Sequence, residues 1–159
     1  MSAADAVQLR SAQADEAEML WVLRTRCVRE TCCSHYPPEV IAAWSATPPP
    51  VRYRELLLGG GGVVAQDAAG RVLGYGVIDR VANEIDALFV DPDCAGRGIG
   101  QRLMRAMETM AAPEQPLELS ASLNAVAFYR RCGFEAVREE IYPHPSGVAL
   151  ASVRMQRIR

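Results

Sequence analysis

The feature that most constrains this chain is a strand, a glycine-rich loop and a helix in immediate succession. Glu84 to Val90 is a β-rich run, Asp91 to Gly100 carries Gly96, Gly98 and Gly100, and Ile99, Leu103, Ala106, Met107 and Met110 then recur as one helical stripe that ends before Pro113. Arg102, Arg105 and Glu108 fall on the other sides of that helix. A loop that feeds a strand into a helix directs exposed backbone N–H groups and the positive end of the helix dipole at one point, which favours an anion such as phosphate. Glycine allows consecutive N–H groups to converge there. Two common phosphate fingerprints are absent. Gln101, Arg102 and Leu103 follow Gly100 where a dinucleotide fold has its third glycine, and no Gly-Lys-Ser/Thr ending is present. Taken alone, the loop remains open between an anion site and an ordinary glycine-rich turn.

The rest of the chain organises around this unit. Val7 to Ser11 is a short strand, and a first amphipathic helix starts near Asp15 with Ala17, Leu20, Leu23 and Cys27 on one face. Pro37-Pro38 opens a second helix through Trp44, and Pro48-Pro49-Pro50 closes it. Leu56 to Leu58 leads to Gly59 to Gly62, which reads as a flexible connection with the sheet beginning beyond it. Val63 to Gln66 and Val72 to Ile78 form a hairpin about Asp67 to Gly70. Leu117 to Ala121 is a strand, Asn124 to Cys132 a helix stopped by Gly133, and the tail holds two more strands.

With 159 residues, 50% of them apolar, one domain spanning 1–159 is expected. A formal net charge of −2 leaves no basic surplus for a nucleic-acid backbone. No uncharged apolar run approaches the roughly 20 residues that span a bilayer, and Met1 to Arg10 lacks the pattern of an export signal. A cytoplasmic protein without nucleic-acid or membrane partners is expected. Five cysteines without a CxxC pair read as reduced thiols, and Cys32, Cys33 and His35 lack a second cluster to complete a metal site, so no metal is expected.

Three motifs in order, Glu84-Ile85-Asp86-Ala87-Leu88-Phe89-Val90-Asp91-Pro92, Gly96-Arg97-Gly98-Ile99-Gly100 and Asn124-Ala125-Val126-Ala127-Phe128-Tyr129-Arg130-Arg131-Cys132-Gly133-Phe134, resemble the GNAT acetyltransferase family over about a third of the chain. The resemblance implies an α/β fold of three α-β-α layers, with a mixed central sheet splayed around an acyl-CoA site. It implies acetyl-CoA as acyl donor, with its pyrophosphate on the amides of the loop. The expected cofactor contacts are Phe89, Val90, Ala95, Gly96, Arg97, Gly98, Ile99, Gly100, Gln101, Asn124, Phe128 and Tyr129. Ala95 departs from the glutamine or arginine that the family has at this position, so one side-chain contact is lost and Arg97 is a candidate to replace it.

The resemblance further implies direct attack of an amine on the thioester, without a covalent enzyme intermediate. An alkyl amine with a pKa near about 10 needs a base, and Glu84, directly or through water, is the first candidate, followed by Asp86. Strand alternation puts both on one face together with Leu88 and Val90. Glu84 at a solvated strand end without chemistry is the alternative. Tyr129 is the expected acid for the departing thiolate, with packing beside Phe128 as the alternative. The Val90 N–H is the expected oxyanion donor. Asn124 is the expected cofactor contact at the start of its helix. Thr31 to Gly62 is expected to wall the acceptor site, with His35, Tyr36 and Trp44 as lining candidates, although Trp44 also reads as a packing residue. The acceptor is a small-molecule or peptide amine, and two carboxylates in the cleft favour a cationic one. A homodimer through a free C-terminal strand edge and a non-catalytic acyl-CoA sensor complete the expectations.

Overall fold

The computed structural model of the protein describes residues 6–144 and 147–158. In chain order these form β1 (Gln8–Ser11), α1 (Ala17–Thr31), α2 (Pro38–Ser45), α3 (Val51–Leu58), β2 (Gly62–Gln66), β3 (Val72–Asp79), β4 (Glu84–Val90), α4 (Ile99–Met110), β5 (Leu117–Ser122), α5 (Val126–Arg131), β6 (Glu135–Pro143) and β7 (Ala149–Arg157). The strands make one seven-stranded sheet in the order β1-β2-β3-β4-β5-β7-β6. All neighbours are antiparallel except β4 and β5.

Helices cover both faces, giving the expected α-β-α layering. On one face, Ala17 and Leu20 of α1 and Tyr53 and Leu57 of α3 pack on Val64, Tyr75, Val77 and Ala87. On the other, Ile99, Leu103, Met104 and Met107 of α4 and Tyr129 of α5 pack on Leu73, Ile85, Leu117 and Leu119. Met104 joins the apolar stripe read from the sequence, while Ala106 and Met110 are half-buried. α4 settles close to β3 because Gly76 leaves room: a Cβ there would lie 2.6 Å from Met107 Cε. Each fully buried Leu or Met of this layer contributes about 1.5–3 kcal/mol by leaving water.

Local chemistry explains most boundaries. A short 3-10 turn, Ala14–Glu16, precedes α1, and Glu16 Oε1 accepts the Gln13 N–H at 2.8 Å. Pro38 stands at the first turn of α2, as its preset φ allows. The Asp67 to Gly70 hairpin is held by Asp67 Oδ1, which accepts the N–H groups of Ala69 and Arg71, both at 2.9 Å.

Two readings are corrected. The segment from Gly59 to Gly62 is no slack connection. Gly62 opens β2 opposite Val77, and the Gly61 carbonyl accepts the Ile78 N–H at 2.8 Å. A Cβ at Gly61 would meet the Ile78 carbonyl oxygen at 2.3 Å, so glycine serves close backbone approach here. The second correction concerns β4, whose register against β3 shifts between Ile85 and Ala87 and leaves Asp86 as the bulged residue. The extra residue inverts the alternation. Ala87 and Phe89 therefore share the face of α1 and α3, and Leu88 and Val90 turn to the α4 face, away from Glu84 and Asp86.

Candidate active site

The site begins where two strands part. Only Glu84↔Glu118 and Ile85↔Leu119 pair between β4 and β5. Beyond them β4 stays with β3 and β5 stays with β7, so a gap opens between their C-terminal halves. Arg154 of β7 pins the closed end: its guanidinium lies 3.2 and 3.3 Å from the two Glu84 carboxylate oxygens and 3.0 Å from Glu118 Oε2. The Asp91 N–H donates to the Leu73 carbonyl at 2.8 Å. Antiparallel alternation then assigns Phe89 and Ala87 to bonding with β3 and turns the N–H and C=O of Leu88 and Val90 toward the gap. The Val90 carbonyl accepts the Cys27 thiol at 3.3 Å.

Two cavities meet at this gap. The first, about 460 Å³, is lined by Val90, Ala95, Gly96, Gly98, Ile99, Gly100, Gln101, Asn124, Phe128 and Tyr129, which brings together ten of the twelve residues expected at the cofactor. Phe89 faces the second cavity instead, and the exposed Arg97 lines neither. Gly96 and Gly98 have φ of 80° and 75°, and a Cβ on either would meet nothing within 4 Å, so the loop presents bare backbone to the cavity. Gly98 caps α4, whose first-turn amides have no carbonyl one turn back to bond. Gly100 has another role: a Cβ there would lie 3.0 Å from Phe128 Cζ, so its bareness seats that ring.

Asp91 fixes the entrance to the loop. Its side chain is 5% exposed, accepts the Asp93 N–H at 2.9 Å, and pairs with Arg26 at 2.9 Å and Arg71 at 3.0 Å. Burial pushes its carboxyl up, but the Asp93 amide and the two guanidinium groups outweigh this and hold it below the usual range.

The second cavity, about 490 Å³, opens on the α1 and α3 face and shares Leu88, Val90, Asn124, Ala125 and Tyr129 with the first. Asp86 lines it and Glu84 does not. Glu84 is occupied by Arg154, whereas Asp86 keeps a looser contact with Arg52 at 3.4 Å. Burial pushes the Asp86 carboxyl above its ordinary value against the opposing pull of Arg52, with Glu84 and Asp79 adding to the rise. Tyr129 borders both cavities, and burial raises its phenol well above the ordinary value, so the hydroxyl keeps its proton. Asn124 Oδ1 is buried and accepts no hydrogen bond. The Cys27 thiol is pushed up to about 12, chiefly by burial, which makes it a poor nucleophile.

Of the expected acceptor-wall residues, Trp44 lines the second cavity and also packs edge-on against Tyr36 at 5.2 Å. His35 is exposed, and Tyr36 turns away to donate to the Ala151 carbonyl at 2.5 Å. Sequence reasoning missed Trp21, Arg24, Tyr53 and His144 on the second cavity and Arg131 on the first. One signal was available: Arg24 sits on the Leu20, Cys27 face of α1, where a helix normally buries apolar side chains.

A family model described as an acetyltransferase (GNAT) domain matches residues 32–148. The chain belongs to the GNAT acetyltransferase family. This acetyltransferase is 32% identical over 134 residues to the uncharacterized N-acetyltransferase YafP of Escherichia coli (strain K12), a match covering 84% of this chain and 85% of that protein. The crystal structure of a GCN5-related N-acetyltransferase from Rhodopseudomonas palustris, described as an aminotransferase, class-II, aligns with a TM-score of 0.84 at 24% identity, covering 96% of this chain and 95% of that one. The PaiA N-acetyltransferase of Thermoplasma acidophilum in complex with coenzyme A aligns at 0.70 with 17% identity, covering 97% and 99%. The GNAT domain marks an acyltransferase enzyme, and acetyltransferases of this family use acetyl-CoA. Among the described residues no helix is long and apolar enough to cross a membrane.

Proposed function

We propose that this GNAT acetyltransferase moves an acetyl group from acetyl-CoA to a primary amine by direct attack within a ternary complex, acting as one domain. The observation that carries the reading is the meeting of two cavities at the splay of β4 and β5, with Tyr129 on the border of both. The residues of the first cavity fit a phosphorylated acyl donor: bare backbone at Gly96 and Gly98, the N-terminus of α4, a buried unpartnered Asn124 Oδ1, and Arg131 at the rim. Acetyl-CoA, when bound, supplies the thioester carbonyl that the amine attacks.

The chain supplies the proton management. Asp86, the carboxylate of the second cavity, accepts the proton of the incoming ammonium, and Glu84 stays with Arg154 as a structural anchor of the sheet. The N–H of Val90 faces the gap as donor to the developing oxyanion. As the carbon–nitrogen bond forms and the carbon–sulfur bond breaks, the Tyr129 hydroxyl gives its proton to the departing sulfur, and the second N–H proton that the new amide nitrogen sheds restores the phenol. Burial keeps that phenol protonated until the sulfur departs.

The test is release of coenzyme A thiol from acetyl-CoA across polyamines, amino acids, aminoglycosides and short peptides, with a no-acceptor control. Acceptor-dependent release is expected. Acetyl-CoA binding with no release for any amine would overturn the reading.

A further inference from the structure

Arg24 occupies a position on α1 where the neighbouring buried residues, Leu20 and Cys27, are apolar, and it is itself only 5% exposed. Its guanidinium carbon stacks 4.1 Å from the centre of the Trp21 ring, and Nη2 donates to the Trp44 carbonyl at 3.1 Å, near the negative end of α2. Nη1 is buried and bonds to nothing. Among the described residues Arg24 forms no ion pair; Asp86, the carboxylate in the same cavity, is paired with Arg52. The Tyr53 hydroxyl, also on that cavity, is buried beside that of Tyr75, with no hydrogen bond of good geometry. A guanidinium cannot shed its proton to escape desolvation, so a buried one with an empty N–H is costly unless something negative completes it.

We propose that Arg24 recognises a carboxylate on the acceptor, so that the acceptor is a small amino acid rather than a simple cationic amine. This rests on reading the second cavity as the acceptor site. Nη1 and the Tyr53 hydroxyl supply donors to the carboxylate, and the Trp21 and Trp44 rings supply apolar walls. Arg24 and Cys27 share one face of α1, separated by roughly 4.5 Å of helical rise, and Cys27 touches the Val90 carbonyl at the gap. A carboxylate held at Arg24 therefore leaves an amine a few bonds away directed at the gap. Asp86 receives the proton, and the two charges of a zwitterion are matched by the two opposite charges of the cavity.

The experiment compares α-amino acids bearing apolar side chains with the amines left when their carboxylate is removed, at saturating acetyl-CoA. Wild type is expected to favour the amino acid by about tenfold or more in kcat/KM. Arg24→Gln should level the two series by raising KM for the amino acids alone, and Arg24→Lys should restore part of the preference. Equal or better turnover of the decarboxylated amines by wild type overturns the proposal while leaving the transferase reading standing. Failure of both series despite acetyl-CoA binding overturns both. A second measurement needs no variant: 3-phenylpropanoate should raise the melting temperature of wild type while 3-phenylpropan-1-ol leaves it unmoved, and equal shifts would overturn recognition of the carboxylate.

Discussion

Arg52 Nη2 lies 3.4 Å from Asp86 Oδ1 and 2.8 Å from Asp79 Oδ2, so one side chain of α3 ties the bulge of β4 to the end of β3. This contact moderates the rise that burial imposes on the Asp86 carboxyl. A base works only when deprotonated, so the acid limb of kcat/KM should fall above the ordinary aspartate value of about 3.9. Arg52→Ala removes the opposing charge and should move that limb to higher pH. Asp86→Asn should lower kcat/KM by about 10²-fold or more. Unchanged activity in Asp86→Asn, or a limb that moves to lower pH in Arg52→Ala, would exclude Asp86 as the base.

Tyr129→Phe tests the acid. The ring keeps its edge-on packing against Phe128 at 5.3 Å and Phe134 at 6.0 Å, so the fold should hold. Only the hydroxyl is lost, and kcat should fall about 10²-fold or more while the dissociation constant of acetyl-CoA changes little. Steady-state turnover beside equilibrium binding separates the two. A fall in affinity with kcat unchanged would make Tyr129 a wall of the cofactor cavity and nothing more.

The loop and the rim of the first cavity should contribute separately. Gly98→Val puts a β-branched residue at φ 75°, where L-residues are strained by about 1–2 kcal/mol, and fills the space in front of the backbone. Arg131→Ala leaves the loop intact and removes a rim cation. Both should weaken acetyl-CoA, but only the Arg131 contribution should shrink as salt rises. Titrations at two ionic strengths decide this, and a salt-insensitive Arg131 would place it outside the phosphate contacts.

Local pattern carried the sequence reading far. β4 was legible to the residue because its β-rich run ends at Asp91-Pro92, and the glycine loop before α4 was legible because glycine spacing reports backbone conformation directly. α3 was not recognised: its eight residues are too short to repeat a stripe, and Tyr53 and Leu57 are its only buried positions. The facing of Leu88 and Val90 relative to Asp86 was misjudged because a bulge depends on the partner strand, and one extra residue inverts everything after it. The second cavity was hidden for a similar reason. Trp21, Tyr53, Asp86 and His144 come from four separate stretches of chain, and only tertiary packing gathers them.

The glycine run before β2 offers a sharp comparison, because two adjacent glycines serve different ends. Gly60 has φ of 81°, and a Cβ there would meet nothing within 4 Å, so Gly60→Ala should cost only the left-handed strain, about 1 kcal/mol. At Gly61 a Cβ would lie 2.3 Å from the Ile78 carbonyl oxygen and 3.2 Å from that of Leu56, both backbone atoms that no rotamer change can move. Gly61→Ala must push α3 from the sheet or break the 2.8 Å bond from the Ile78 N–H, at a cost of about 3 kcal/mol. For a chain of this size the melting temperature should then drop by about 2–4 °C for Gly60→Ala and about three times that for Gly61→Ala. Because α3 carries Tyr53 to the second cavity and Arg52 to the Asp86 carboxylate that lines it, Gly61→Ala should also raise the acceptor KM at temperatures where it is folded, and Gly60→Ala should not. Equal melting temperatures for the two variants would mean that α3 sits on the sheet loosely enough to yield, and the close approach at Gly61 would then be incidental to the acceptor wall.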